Sequence, residues 1–243
     1  PVLTDAEVLA DITERFKMMA SLTAAAGRGE IPAMVIPGAP GVGKSYTVVR
    51  ALDAAGVKYV RVTGGISAVE LYALGFHHRA KGEVIVLDDS DSILKNEEGI
   101  NILKALTDSS VRRVVSWRKQ NKNLKDEEVP ESYLFQGSII LISNLDFQAI
   151  VDDGKSSAAL HVAALMSRSL YLETAVHDRR SLDLWIRHIA KDGKMVRVEG
   201  LTDAQGDELL GWMSEHREKL REYSLRTLHH LCVLMKLGTE WKV

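Results

Sequence analysis

The residues with the clearest chemical potential lie in Ile36–Val48, IPGAPGVGKSYTV, where a glycine-rich turn joins an apolar run to a helical pattern. Gly38, Ala39, Pro40, Gly41, Val42, Gly43, Lys44 and Ser45 match the spacing G-x-x-x-x-G-K-[ST], in the strand-turn-helix context that this spacing requires. Glycines let the backbone turn its N–H groups inward onto phosphate oxygens, and the positive amino end of the following helix points at the same place. Lys44 is placed to reach the β and γ phosphates of a nucleoside triphosphate, and Ser45 to put its hydroxyl on Mg²⁺. Tyr46 completes the cofactor-binding stretch.

A second constellation is acidic. The apolar run Val84–Leu87 ends in Asp88-Asp89-Ser90-Asp91, and carboxylates at the carboxyl edge of a parallel sheet lie beside a phosphate loop. This looks like a Walker B element. Asp88 would hold the metal through water. Asp89 stands where many such enzymes carry a glutamate that orients the attacking water. Aspartate is one methylene shorter, so either Asp89 keeps the base role with a shifted water or Asp91 takes it, and slow turnover is expected.

The elements that must position these groups are legible from periodicity. AMVIP, KYVRVTG, EVIVLDD, SIILISN and SLYLE are short β-rich runs separated by helical patterns or turns, which predicts a mainly parallel five-stranded sheet covered by helices on both faces. Thr4 with Glu7 is a capping-box spacing opening a helix to about Ala26. After Glu173 three helical patterns dominate, at about 178–190, 202–218 and 224–236, and AKDGKMVRVEG between the first two reads as a turn with a short extended piece. The expected organisation is a three-layer α/β/α domain of P-loop type over 1–172, with a hairpin insertion at 111–137, followed by an all-α domain over 173–243. Adjacent histidines at His77-His78 and His229-His230 point to different sides of a helix and suit surface positions better than metal ligation.

Bulk properties narrow the function classes. The 243 residues carry 31 basic and 33 acidic side chains for a net charge of -2, so contact with nucleic acid or a membrane surface has to come from a local patch. The lone Cys232 suits a reducing compartment, and there is neither a membrane-spanning run nor a signal-like amino end, so a cytoplasmic protein without a membrane partner is expected.

With these motifs in order, nearly the whole chain resembles the AAA+ ATPase family. SIILISN ends in Asn144, which matches the sensor 1 position. ALMSRSLYLE places Arg168 directly before the last strand, where it resembles the clamp-loader arginine that reaches a neighbouring subunit's nucleotide. YSLRTLHHL resembles the sensor 2 helix of a small lid domain, with Arg226 pointing back at the γ phosphate. LDDSDSIL, NILKAL, RRVVSW and FQGSIILISN look especially like small AAA+ ATPases encoded by tailed phages. The resemblance implies ATP and Mg²⁺ as cofactors, hydrolysis aided by Lys44, Asp89, Asn144, Arg168 and Arg226, assembly into a ring or spiral with a hexamer favoured, and residence in the host cytoplasm if phage-encoded.

The insertion suggests a partner. Arg112, Arg113, Arg118, Lys119, Lys122 and Lys125 surround Trp117, a composition that binds phosphate backbones and stacks on bases. Asp126, Glu127, Glu128 and Glu131 follow at once, so a self-neutralising solvated loop is the competing reading. The expected function is therefore an ATPase that remodels or moves on a nucleic acid, DNA above all, or a protein client. The alternative is an ATP-switched loader on single-stranded DNA with slow hydrolysis.

Overall fold

The structure, a computed structural model, describes residues 3–154 and 157–238. In chain order the elements are α1 (Asp5–Gly27), β1 (Ala33–Ile36), α2 (Lys44–Ala54), β2 (Tyr59–Thr63), α3 (Ala68–His77) and β3 (Val84–Asp88), followed by a 3-10 turn at Asp91–Lys95. Then come α4 (Glu97–Leu106), β4 (Arg113–Ser116), α5 (Lys122–Asp126), β5 (Ser132–Phe135), β6 (Ser138–Ile142), α6 (Phe147–Asp153), α7 (Ser157–Arg168) and β7 (Leu170–Tyr171). The carboxyl-terminal helices are α8 (Arg179–Lys191), α9 (Met195–Val198), α10 (Asp203–Glu215) and α11 (Leu225–Lys236). Among the described residues no helix is long and apolar enough to cross a membrane.

The chain divides into two compact units. The larger comprises Arg15–Gly38 and Lys44–Thr174; the smaller comprises the residues up to Glu14, the segment Ala39–Gly43 and the residues from Ala175 on.

The larger unit is built on a five-stranded parallel sheet in the order β2-β3-β6-β1-β7. All four residues of β1 and all five of β3 and of β6 are buried. A strand covered on both faces has no use for polar alternation and reads as a continuous apolar run. The five strands expected from sequence are thus the five observed. Because β6 lies between β1 and β3, Ile36, Ile142 and Asp88 fall in one row at the carboxyl edge.

The insertion forms a separate antiparallel pair, β4 with β5, whose register sets Val114 against Leu134. The extended backbone sends alternate side chains to opposite faces. Arg113, Val115 and Trp117 therefore turn inward while Arg112, Val114, Ser116 and Arg118 face out. The inner face joins the main core: Trp117 lies 5.9 Å from Tyr72, and the Tyr133 hydroxyl donates to the Tyr72 carbonyl at 2.8 Å. Two of the residues expected to touch nucleic acid are consequently interior. The guanidinium of Arg113 donates to the carbonyls of Leu106 (2.9 Å), Gly137 (2.6 Å) and Pro32 (3.4 Å) under the ring of Phe135, and Trp117 is only 9% exposed. Satisfying three backbone acceptors is a structural task, and a buried indole face is closed to a base.

In the smaller unit, Asp178, Thr202 and Ser224 cap α8, α10 and α11, each accepting from the backbone N–H of the third helical residue. Ile186, Leu209, Leu228 and Cys232 form its apolar centre. The extended piece expected within AKDGKMVRVEG, residues 190–200, is absent, and the stretch instead holds the short helix α9, entered through a left-handed Lys194. Helical winding turns Val196 into the apolar centre, and that packing outweighs the β preference of its branched side chain.

The burial of Arg113 generates a stability test. Arg113→Ala strands three interior carbonyls and should lower unfolding free energy by about 2 kcal/mol or more, whereas Arg112→Ala and Arg118→Ala on the outer face should stay within about 0.5 kcal/mol, as read from urea denaturation.

Candidate nucleotide-binding site

In the larger unit the carboxyl ends of β1, β6 and β3 bring the polar groups together. Lys44 opens α2, directly after the glycine turn, and is 5% exposed. Its Nζ donates to the Gly38 carbonyl at 2.7 Å and to Asn144 Oδ1 at 3.0 Å. Burial pulls the ammonium pKa down to about 8, and the negative charges of Asp89, Asp88 and Asp91 oppose that fall. Asn144, two residues beyond β6, passes the chain of bonds on: its Nδ2 donates to Asp89 Oδ1 at 2.6 Å. Asp89 is exposed and sits in the left-handed region at φ 53°, which turns its side chain away from the line of β3.

Asp88 ends β3 and is almost fully buried. Its Oδ1 accepts from the Ser45 hydroxyl at 2.8 Å, while Arg61 of β2 donates to its Oδ2. A hydroxyl and a carboxylate oxygen side by side are hard donors of the kind Mg²⁺ prefers when phosphate and water complete its octahedron. The donor set therefore fits that ion. Asp91 accepts from the Ser143 hydroxyl at 2.6 Å, and its half-burial pushes its carboxyl up against the opposing effect of that hydrogen bond. Among the described residues no group of three or more His, Cys, Asp or Glu side chains is placed to hold a metal by protein ligands alone.

The middle of the loop, Ala39–Gly43, belongs to the smaller unit. There the Gly41 carbonyl accepts from the Leu225 N–H at 3.0 Å and the Val42 carbonyl from Trp185 Nε1 at 2.8 Å. These two bonds hold the loop backbone through its carbonyls to α11 and α8. Gly38, Gly41 and Gly43 have φ of 144°, 68° and 100°, values that glycine adopts without strain. A triphosphate is the ligand such a run of turned amides suits.

The remaining expected residues are placed as follows. Pro40 is exposed, and Ala39 and Val42 fill out the loop. Tyr46 is 68% exposed, with the Arg50 guanidinium 5.7 Å from its ring centre. Arg168 is the half-buried last residue of α7, one residue short of β7. Arg226 is exposed on α11 and lies 3.7 Å from Glu222. Arg112, Arg118, Lys122 and Lys125 are exposed around the hairpin, and Lys119 is paired with Glu98.

Sequence reasoning missed Arg61 and Ser143. The signal for Arg61 was a lone charged residue inside the apolar run YVRV, on what proves to be an edge strand. Ser143 was passed over as part of a strand end, although a small hydroxyl just beyond a buried strand faces whatever that edge holds.

The fold is a P-loop α/β fold of the kind found in RuvB. A point variant of RuvB from Thermotoga maritima superimposes over 93% of this chain with a TM-score of 0.52 at 15% identity, and the chain spans 64% of that protein's length. The T. maritima RuvB Holliday junction branch migration motor aligns over 94% of this chain and 70% of its own at a TM-score of 0.44 and 16% identity. No protein-family model matches the chain. The chain belongs to the family of an uncharacterized 36.7 kDa protein of the nrdC-mobD intergenic region of Enterobacteria phage T4, with 31% identity over 224 residues, 90% of this chain and 68% of that relative.

The loop geometry can be tested by adding one methyl group. At Gly41 a Cβ would stand 2.5 Å from the Ser224 Cβ and at a left-handed φ, whereas at Gly56, also left-handed, it would meet nothing within 4 Å. Gly56→Ala should cost about 1 kcal/mol, the backbone strain alone, and Gly41→Ala clearly more, compared by thermal unfolding.

Proposed function

We propose that the protein binds ATP with Mg²⁺ and hydrolyses it between adjoining copies of itself in a ring or open spiral, hexameric in its full form, using the energy to remodel or move on a nucleic-acid or protein partner. The observation that carries this reading is the continuous set of bonds from the Gly38 carbonyl through Lys44 and Asn144 to Asp89, beside Ser45 joined to Asp88. In this reading the first set links a phosphate-gripping cation to a carboxylate able to take a proton from water, and the second is the metal-holding pair beside it. The RuvB-like P-loop fold and the phage relative support it.

In this reading residues 1–172 are the ATPase core and 173–243 the lid. Amides of the Gly38–Ser45 loop and the Lys44 ammonium bind the β and γ phosphates. Bound Mg²⁺ supplies positive charge to the phosphate oxygens and lessens the repulsion that an incoming oxygen meets. Asn144, through Oδ1 to Lys44 and Nδ2 to Asp89, orients both groups, and Asp89 Oδ2 accepts the proton of the attacking water; Asp91, raised by burial, is the second candidate base. Arg226 answers the γ phosphate, and Arg168 brings positive charge to the site of a neighbouring copy. Arg112, Arg118, Lys119, Lys122 and Lys125 supply the basic contact for DNA. The host cytoplasm is the place of action for a phage-encoded protein of this kind.

One observation favours a second reading. Asp89 is shorter than the glutamate its position resembles and is already held by Asn144. An ATP-switched loader on single-stranded DNA, which hydrolyses slowly and only to release, would tolerate both features. Equal DNA binding with ATP and with a non-hydrolysable analogue would select the loader.

The deciding measurement is ATPase rate at several protein concentrations, with and without single-stranded DNA, double-stranded DNA and RNA. Lys44→Ala should lose nucleotide binding. Asp89→Asn should keep binding and slow hydrolysis by about a hundredfold, and an unchanged rate would move the base role to Asp91. Arg168→Ala should lose about a thousandfold in turnover. Turnover per protomer that stays constant on dilution to nanomolar protein would contradict action across a subunit boundary.

A further inference from the structure

We propose that Arg61 is the built-in counter-cation of Asp88 and makes uptake of a divalent ion conditional on nucleotide, an inference that rests on the Mg²⁺-assisted reading above. Arg61 projects from β2, the edge strand next to β3, and donates through Nε at 2.9 Å and Nη2 at 2.5 Å to Oδ2 of Asp88. The other oxygen, Oδ1, accepts from Ser45. Asp88 is 2% exposed, so both of its oxygens are engaged and water contributes little to its solvation.

A carboxylate that deep is stable only when paired, and the guanidinium supplies the pairing. The same arrangement works against a metal. An ion approaching Ser45 Oγ and Asp88 Oδ1 meets a negative charge that is already answered, with a second positive charge fixed on the far oxygen. Lys44 adds a third charge of the same sign nearby, since Asp88 lies close enough to raise its proton affinity. Asp88 and Lys44 are buried, and although the Arg61 side chain is 40% exposed its direct contact with Oδ2 keeps the repulsion at short range, only partly screened by water. Triphosphate oxygens bring the negative charge that reverses this balance, so the metal binds well only together with nucleotide. Arg61 in this role is a positioning residue: it acts on the metal through Asp88 and touches neither substrate nor reacting atoms.

The test uses Mn²⁺ alone, without nucleotide, on the full chain, with unbound Mn²⁺ followed by electron paramagnetic resonance. Arg61→Gln, which removes the charge, should bind Mn²⁺ about tenfold more tightly than the wild type, and Arg61→Lys, which keeps it, should match the wild type. The gain should vanish when Arg61→Gln is combined with Asp88→Asn. Equal or weaker Mn²⁺ binding by Arg61→Gln, or a gain that survives in the double variant, overturns the proposal. Thermal unfolding checks the fold of each variant, and Arg61→Met, which retains most of the aliphatic stem, replaces Arg61→Gln if the latter unfolds. Binding of a fluorescent ATP analogue to the wild type in the presence of Mg²⁺ is measured separately. No binding there would overturn the nucleotide reading and the nucleotide-conditional role built on it, while the Mn²⁺ series alone decides whether Arg61 opposes the ion at Asp88.

Discussion

The candidate site depends on three parallel strands that stop level with one another. With β6 inserted between β1 and β3, the residues that follow Ile36 and Ile142 leave the sheet at the height of Asp88. This puts the end of a glycine turn, an amide side chain and a carboxylate within bonding distance across sequence separations of 43, 55 and 100 residues. Since alternate side chains of a strand face opposite layers, slipping β3 by a single residue would send the Asp88 carboxylate to the other face of the sheet and leave Ser45 without its acceptor. The dense apolar cover on β1, β3 and β6 fixes the register and, with it, the chemistry.

That precision carries an electrostatic cost. Lys44 and Asp88 are both buried polar ends in a chain whose surface would solvate them far better. The fold offsets the cost locally: Lys44 is bonded to a carbonyl and an amide, and Asp88 to a hydroxyl and a guanidinium. Asn144 is the pivot, because its amide offers an acceptor to the cation and a donor to the anion at once. A leucine of similar volume would fill the same space and take one partner from Lys44 and one from Asp89.

How much of this was legible follows from which forces act locally. The loop Gly38–Ser45 was readable because glycine positions are dictated by backbone angles, and the three central strands because a doubly covered sheet leaves unbroken apolar runs, while the edge strands β2 and β7 showed as short β-rich stretches. The hairpin was misread in part. Its basic and aromatic residues were weighed by composition, whereas the period of two in an extended strand assigns Arg113 and Trp117 to one face with Val115 and leaves Arg112 and Arg118 on the other. The stretch 190–200 was misread because packing of Val196, a tertiary effect, decided the local winding. The pairing of Arg61 with Asp88 joins residues on two strands and could be found only once their adjacency was known.

Cys232 lies fully enclosed in the apolar centre of the smaller unit, where burial pushes its thiol pKa up to about 11. Maleimide and iodoacetamide act on thiolates they can reach, and here the group is neither ionised at neutral pH nor accessible. The folded protein is therefore a silent background for thiol chemistry. Spin labels or fluorophores can be attached at engineered surface cysteines with the native residue left in place.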